Sequence, residues 1–277
     1  SADIGCHSFA TFPPFGFGNS ILGFGMSLAS SAGVRSFQKR RPLAVMGDGG
    51  FWHNGLLSGV ASRLLNDGDG VLVIMKNGYT SATGTQELIS SPGSAAKLSA
   101  AEKSATSSER TIEDALEGVG VKWLRTVHTY RVSEMRATLK EAFNSSFDGL
   151  KVIVAEGECQ LERQRRIKPI RAKALAAGER VQRMRFGIDE DTCTGDHSCI
   201  RLSGCPTLTV KTSTDPLKTD PVAHVTNGCV GCGLCGEVAH AATLCPSFWK
   251  ADIISHPSWY ERFKVTIVRM FTGIPAL

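Results

Sequence analysis

The chain has 277 residues, 42% apolar and 21% charged, the balance of a globular protein long enough for one large domain and a small one. Its net charge of +5 is too small and too scattered for a nucleic-acid surface, and the main basic run, 163–173, reads as a solvated face or linker. No stretch reaches the ~18 uninterrupted apolar residues a membrane span needs, and the opening "SADIGC" lacks the basic and apolar regions of a secretory signal.

Residues 1–38, rich in Gly, Ser and Phe, read as a closely packed loop and then a small-residue helix around 20–32. "RPLAVMGDGG" reads as a short buried strand, 43–46, ending in a glycine turn. In the next segment Leu56, Val60 and Leu64 recur every four residues, the spacing of a helix face. "DGDG" ends that helix, and "VLVIMKN" is apolar throughout, as a buried parallel strand is. After a loop over 78–108 come a helix and strand in "TIEDALEGVGVKWLRTV", a helix opening on Ser133 as N-cap, and the closing strand "LKVIVAEG". This alternation predicts an α/β domain with a mostly parallel sheet over 1–158. A charged connector then spans 159–188, a cysteine-rich region 189–248, and a docking tail 249–277 that carries Trp249, Trp259, Tyr260, Phe263 and Phe271.

Two positions of the first region carry chemistry. Gly47-Asp48-Gly49-Gly50 ends one strand and Asn77 ends the next, on the edge where parallel sheets bind ligands beside helix N-termini. The Asp48 carboxylate, the Asn77 amide oxygen and the backbone carbonyl near Tyr79 are hard donors suited to octahedral Mg²⁺, and the glycines let backbone approach phosphate. The bland alternative is an ordinary strand–helix turn with Asn77 as a turn former. "GDGG…N" at this spacing is similar to the thiamine-diphosphate motif. With "TSATGTQ" after the asparagine and "ADIGCHSF" at the start, the stretch resembles the thiamine-binding domain of indolepyruvate:ferredoxin oxidoreductase and related 2-oxoacid:ferredoxin oxidoreductases. The resemblance implies that Asp48 and Asn77 hold Mg²⁺, that Gly47, Gly49 and Gly50 line the diphosphate, and that Cys6 and His7 approach the thiamine. Cys6 reads equally as a small buried hydrophobe, and His7 and His53 as packing residues. Thr83 and Gly84 either line the diphosphate or only shape their loop.

Seven of the nine cysteines lie between 193 and 245, a clustering that points to metal rather than to disulfides in a cytoplasmic chain. "CVGCGLC" sets Cys229, Cys232 and Cys235 at i, i+3, i+6, with glycines at 228, 231, 233 and 236. "CTGDHSC" repeats that frame with Cys193, Asp196 and Cys199. Each triplet is followed by a Cys-Pro, at 205–206 and 245–246. In two-cluster ferredoxins that last cysteine serves the other cluster. One [4Fe–4S] cluster is therefore expected on Cys229, Cys232, Cys235 and Cys205, and a second on Cys193, Asp196, Cys199 and Cys245. For the second, three readings stand: Asp196 as an oxygen ligand, His197 in its place, or no protein ligand there and a three-iron cluster. A zinc site is the rival, although structural zinc prefers two pairs of ligands.

The expected architecture is a thiamine-diphosphate domain followed by a small two-cluster ferredoxin-like domain. The resemblance implies oxidative decarboxylation of a 2-oxoacid, indolepyruvate or another aryl pyruvate. Coenzyme A would take the acyl group and an external ferredoxin the electrons. Phenylglyoxylate-type and branched-chain acids are alternatives, as is an electron-transfer subunit with a vestigial thiamine site. The glutamate that activates the cofactor is expected on a separate pyrimidine-binding domain, on the same longer polypeptide or another subunit, in a dimer of such units. The start without Met fits a segment of a longer polypeptide.

Overall fold

The computed structural model describes residues 1–12, 16, 20–35, 37, 39–91, 111–203, 205, 207–233, 235 and 245–272. The chain divides into two units, Ser1–Arg163 and Gln164–Leu277. Gly204, Pro206, Gly236 and residues 92–108 of the long loop lie outside the described residues.

The first unit holds β1 (Leu43–Gly47), β2 (Gly70–Lys76), a hairpin of β3 (Tyr79–Thr80) and β4 (Gln86–Glu87), β5 (Trp123–His128) and β6 (Leu150–Glu156). Four of these form one sheet in the order β1-β2-β6-β5, every neighbouring pair parallel. The α/β fold with a parallel sheet expected from the alternation is thus present. The inner strands β2 and β6 are apolar because helices cover both faces. Leu72, Ile74, Val152 and Val154 point to one face, where they meet Leu28, Met46, Phe51 and Leu116. Val71, Val73, Ile153 and Ala155 alternate to the other, against Val45, Trp123 and Val127. Each fully buried aliphatic side chain contributes about 1.5–3 kcal/mol.

Helix α1 (Ser27–Arg35) starts later than the 20–32 stretch suggests. After β1 the chain turns at once into α2, three consecutive pieces: Asp48–Gly50, a π-wound Phe51–Ala61, and Ser62–Leu65. The wider winding buries Gly55, Gly59 and Val60, while Leu56 and Leu64 only flank the core. A Cβ at Gly55 would lie 2.6 Å from Met46 Sδ, so this helix seats against β1 through its glycines. Helix α3 (Ile112–Gly118) opens on a capping box made by Thr111 and Asp114. Helix α4 (Val132–Asn144) begins one residue before Ser133, which is therefore inside the helix and not its N-cap.

The far edge of the sheet is fastened by charges. Lys151 is fully buried and gives its ammonium to Asp69 Oδ1 at 2.5 Å and to the Gly149 carbonyl at 2.9 Å. Arg41 donates to Asp69 Oδ2 at 2.8 Å, and to the carbonyls of Ala142, Phe143 and Ser145 at 3.0, 2.6 and 3.1 Å. It thereby satisfies carbonyls that the end of α4 leaves without partners.

Helix α5 (Gln160–Ala176) crosses the division between the units and buries no residue, as its charged sequence requires. The second unit contains β7 (Val181–Ile188), α6 (Ser198–Ser203), β8 (Leu208–Lys211), β9 (Val222–Val225), β10 (Phe248–Ser255) and α7 (Trp259–Thr272). Strand β7 pairs antiparallel with β10, and β8 with β9. Val181–Ile188, expected within the connector, is thus a strand, and the segment expected to open the tail is its partner. Trp249 lies opposite Gly187, where a side chain would collide with the indole. Arg180 binds Glu261 in α7 and holds that carboxyl at about 2. Trp259, Phe263 and Phe271 on α7 are exposed.

Candidate cofactor sites

At the carboxyl edge of the parallel sheet a cavity of about 50 Å³ is lined by Cys6, His7, Phe24, Gly47, Asp48, Gly49, Gly50, Asn77, Tyr79, Thr80 and Ser81, among others. The abrupt passage from β1 into α2 places Asp48 there, 1% exposed. Its Oδ1 accepts from Gly49 N at 2.9 Å, and its Oδ2 from Asn77 N at 2.8 Å and Gly78 N at 2.6 Å. The first strand end is thus tied to the second by the carboxylate. Burial pushes the Asp48 carboxyl above its ordinary value, against those three N–H bonds. Among the described residues no basic side chain pairs with it, and a buried carboxylate in that state suits a divalent cation.

Asn77 Oδ1 accepts from Tyr79 N at 3.1 Å and from Ser81 Oγ at 3.0 Å, and the same hydroxyl lies 3.3 Å from the Tyr79 carbonyl oxygen. The two neutral oxygens expected beside Asp48 thus both meet the Ser81 hydroxyl. All donors there are hard oxygens, the set that fits Mg²⁺.

The N-terminal loop covers the start of α2. Asp3, wholly buried, accepts from Ile4 N at 2.8 Å and Gly25 N at 2.7 Å through Oδ1, and its Oδ2 has no hydrogen-bond partner among the described residues. A Cβ at Gly50 would collide with that Oδ2, and one at Gly49 would lie 2.5 Å from Thr80 Oγ1. These two glycines thus let the loop and the β3–β4 hairpin close over the helix N-terminus. A Cβ at Gly47 would meet nothing within 4 Å. His7 Nε2 accepts from Asp3 N at 3.2 Å, and burial lowers its imidazole below the ordinary value, so the ring is neutral with its proton on Nδ1. Cys6 lines the cavity from an exposed position. Thr83 and Gly84 do not line it: they form the hairpin turn, with Thr83 Oγ1 on Gln86 Oε1 at 2.7 Å and Gly84 N on the Ser81 carbonyl. His53 packs its ring 5.1 Å from Phe24. Sequence reasoning missed Asp3, Phe24, Thr80 and Ser81. For Thr80, Ser81 and Asp3 a signal existed, since they lie within the "TSATGTQ" and "ADIGCHSF" matches.

In the second unit, Cys193, Asp196, Cys199 and Cys245 line a single cavity of about 280 Å³, together with His197 and Ser198. That is an order of magnitude more room than the ~10–15 Å³ a single water needs. Among the described residues no three His, Cys, Asp or Glu side chains close on one point as ligands of a single ion do. Burial pushes the Cys199 thiol up, and Cys245, Cys193 and Asp196 add to that by charge. Asp196 accepts from Ser198 N at 3.2 Å and from Ser198 Oγ at 2.8 Å, bonds that hold its carboxyl below the ordinary range and open α6. His197, at a left-handed φ of 55°, donates from Nε2 to the Pro221 carbonyl at 2.9 Å.

The other four cysteines are less closely gathered. Cys229 is buried in an apolar cluster with Cys199, Leu208, Ala223 and Val225, against which Cys205 packs. Cys235 packs on Phe186 and Phe248, and Cys232 is half-buried. The donor set is soft thiolate, suited to iron–sulfur chemistry.

Comparison with known proteins accords with this geometry. Residues 3–155 match the thiamine pyrophosphate enzyme, C-terminal TPP-binding domain. The indolepyruvate oxidoreductase subunit IorA of Pyrococcus abyssi is 28% identical over 251 residues, 86% of this chain and 35% of that protein. The same subunit of Thermococcus kodakarensis is 27% identical with the same coverage. The chain thus spans about a third of the length of these relatives. Among solved structures, the 2-oxoglutarate:ferredoxin oxidoreductase from Magnetococcus marinus gives a TM-score of 0.44 at 17% identity, covering 57% of this chain and 53% of that one. The resemblance drawn from the sequence holds in these relatives. With more than half of its residues in the matched domain and the motif at the carboxyl edge of the sheet, the chain belongs to the thiamine pyrophosphate enzyme family through its C-terminal TPP-binding domain.

Proposed function

We propose that this chain is the thiamine- and cluster-bearing part of a cytoplasmic 2-oxoacid:ferredoxin oxidoreductase acting on indolepyruvate or another aryl 2-oxoacid. The observation that carries the reading is a pairing on one chain. A TPP-binding domain is followed by a cavity ringed by Cys193, Asp196, Cys199 and Cys245. Asp48, Asn77 and the Tyr79 carbonyl would hold Mg²⁺, with Gly47, Gly49 and Gly50 against the diphosphate and Cys6 and His7 toward the thiamine. Cys229, Cys232, Cys235 and Cys205 would hold one cluster, and the cavity ligands the other. Thiamine diphosphate, when bound, supplies the electron sink that lets a 2-oxoacid lose CO₂, and clusters supply one-electron carriers. The chain's own part is to fix the cation through a carboxylate already locked by backbone, to keep His7 neutral, and to shield the helix N-terminus with the N-terminal loop.

The acyl group would pass to coenzyme A and the electrons to ferredoxin, in a dimer completed by a pyrimidine-binding domain that carries the activating glutamate. The IorA relatives, which are about three times as long as the matched region, support such a further portion. Calorimetric titration of the iron-loaded chain with thiamine diphosphate and Mg²⁺, with Asp48→Ala as control, tests the reading. Saturable binding lost in the variant, with about seven or eight irons per chain, is the expected result. The small size of the first cavity favours one rival, an electron-transfer subunit with a vestigial thiamine site. Full iron without thiamine binding would establish that rival instead. Turnover of a 2-oxoacid panel by this chain alone, with an artificial acceptor, would remove the need for the missing domain.

A further inference from the structure

Strand β7 fastens the loop that carries the Cys229 triplet at three successive residues. Arg183 donates from Nη2 to the Cys229 carbonyl, and Arg185 from Nη2 to Asn227 Oδ1 at 2.6 Å. Between them the Met184 carbonyl abuts Gly231, whose φ of +67° and lack of a Cβ allow the approach. The two arginines differ in one respect. Arg185 makes its bond in an exposed position, whereas Arg183 Nε is buried and has no acceptor among the described residues. A buried donor left unpaired is destabilising, and more so when the group is charged. The rings of Phe186 and Phe248 that pack on Cys235 offer no strong acceptor. Sulfide and thiolate sulfur of a cluster on Cys229, Cys232, Cys235 and Cys205 are acceptors, and the cluster is anionic.

We infer that Arg183 is a tuning residue for this cluster: its positive charge and its buried Nε–H raise the reduction potential, so that this centre fills before the one beside Asp196. The inference rests on the two-cluster reading above. An electron added to a cluster increases its negative charge. A nearby guanidinium therefore favours the reduced form, while a carboxylate lining the other cavity disfavours it. The step is a one-electron reduction, with dithionite as the donor in the test.

The experiment is an anaerobic redox titration of the iron-loaded full chain followed by electron paramagnetic resonance. Asp196→Cys identifies the Cys193 centre as the signal it alters. The other signal is expected to appear first as the poise is lowered. In Arg183→Gln its reduced-to-oxidised ratio at fixed poise should fall about tenfold, equivalent to 59 mV for one electron. Arg183→Lys should show a smaller fall, and Arg185→Gln none at either centre. If Arg183→Gln takes up less iron, Arg183→Lys decides, because it keeps the charge and loses only the fork. Iron-replete Arg183 variants with both potentials unchanged overturn the inference while leaving the two-cluster reading intact. A wild-type chain that holds only one centre, or none, overturns both.

Discussion

The two candidate cofactor regions are stabilised in opposite ways. Around Asp48 the protein supplies its own order: three backbone N–H groups fix the carboxylate, and the sheet beneath is packed with large aliphatic side chains. Around the cysteines the order is thinner. Two-stranded ladders replace the four-stranded sheet, and the buried cluster counts Cys199 and Cys229 among its five members, with Cys193 and Cys205 at its margin. A site built on a finished core is preorganised and accepts its ligand late. A site whose core is made of its ligands depends on what those ligands bind.

Removal of the proposed iron is the harshest test of this contrast. Chelation should strip hydrogen-exchange protection from β8 and β9 to near that of an unfolded chain, and leave β1, β2 and β6 protected. Equal loss in both units would end the distinction. Next in size, Asp48→Ala should weaken thiamine diphosphate–Mg²⁺ binding by at least about 100-fold, the upper end of what losing even a supporting partner costs a metal site. Calorimetry reads it, with the iron signals unchanged. Gly49→Ala should destabilise the first unit by about 1–3 kcal/mol, because the new methyl meets Thr80 Oγ1 at 2.5 Å and Phe24 at 3.2 Å. The expected signature is a melting point lower by several degrees for that unit alone.

The smallest effect is on pH dependence. Asp48 has a raised carboxyl when folded, so its ionisation opposes folding. Stability is fullest below the ordinary carboxylate value and declines as pH rises through the raised one. Asp3 is raised by burial too and acts with the same sign. Asp48→Asn should flatten part of that decline in metal-free protein, and Mg²⁺ should flatten the same part in the wild type. A decline untouched by either would assign it to Asp3.

The parts legible in the sequence were those written locally. Strands β1, β2, β5 and β6 follow from short apolar runs between turns, and Asp48 and Asn77 from their places at strand ends. The frame of Cys193, Asp196 and Cys199 was readable because three-residue spacing is a local property. What escaped depends on partners far along the chain. Strand β7 is charged at Arg183 and Arg185, and only its pairing with β10, some sixty residues later, makes it a strand. Ser133 has the chemistry of an N-cap, but α4 starts at Val132. The helical stripe read at Leu56, Val60 and Leu64 does face the core, but the π-wound segment also turns Gly55 and Gly59 inward, which a stripe of aliphatic residues does not announce. Asp3 lies within the "ADIGCHSF" match, but nothing local marks a lone acid near the chain start as a buried acceptor for Ile4 and Gly25 N–H groups.

The charge knot at the far edge of the sheet has a consequence for inheritance. Arg41, Asp69 and Lys151 are separated by 28 and 82 residues, yet Lys151 is wholly buried and Asp69 answers both cations. Removing one partner of such a buried pair costs about 3–5 kcal/mol, a large share of a domain's stability. Gene exchange between distant relatives that lack the same trio should therefore be tolerated poorly when the crossover falls between positions 69 and 151. The trio should travel as one linked unit, although none of its members lines either candidate cavity.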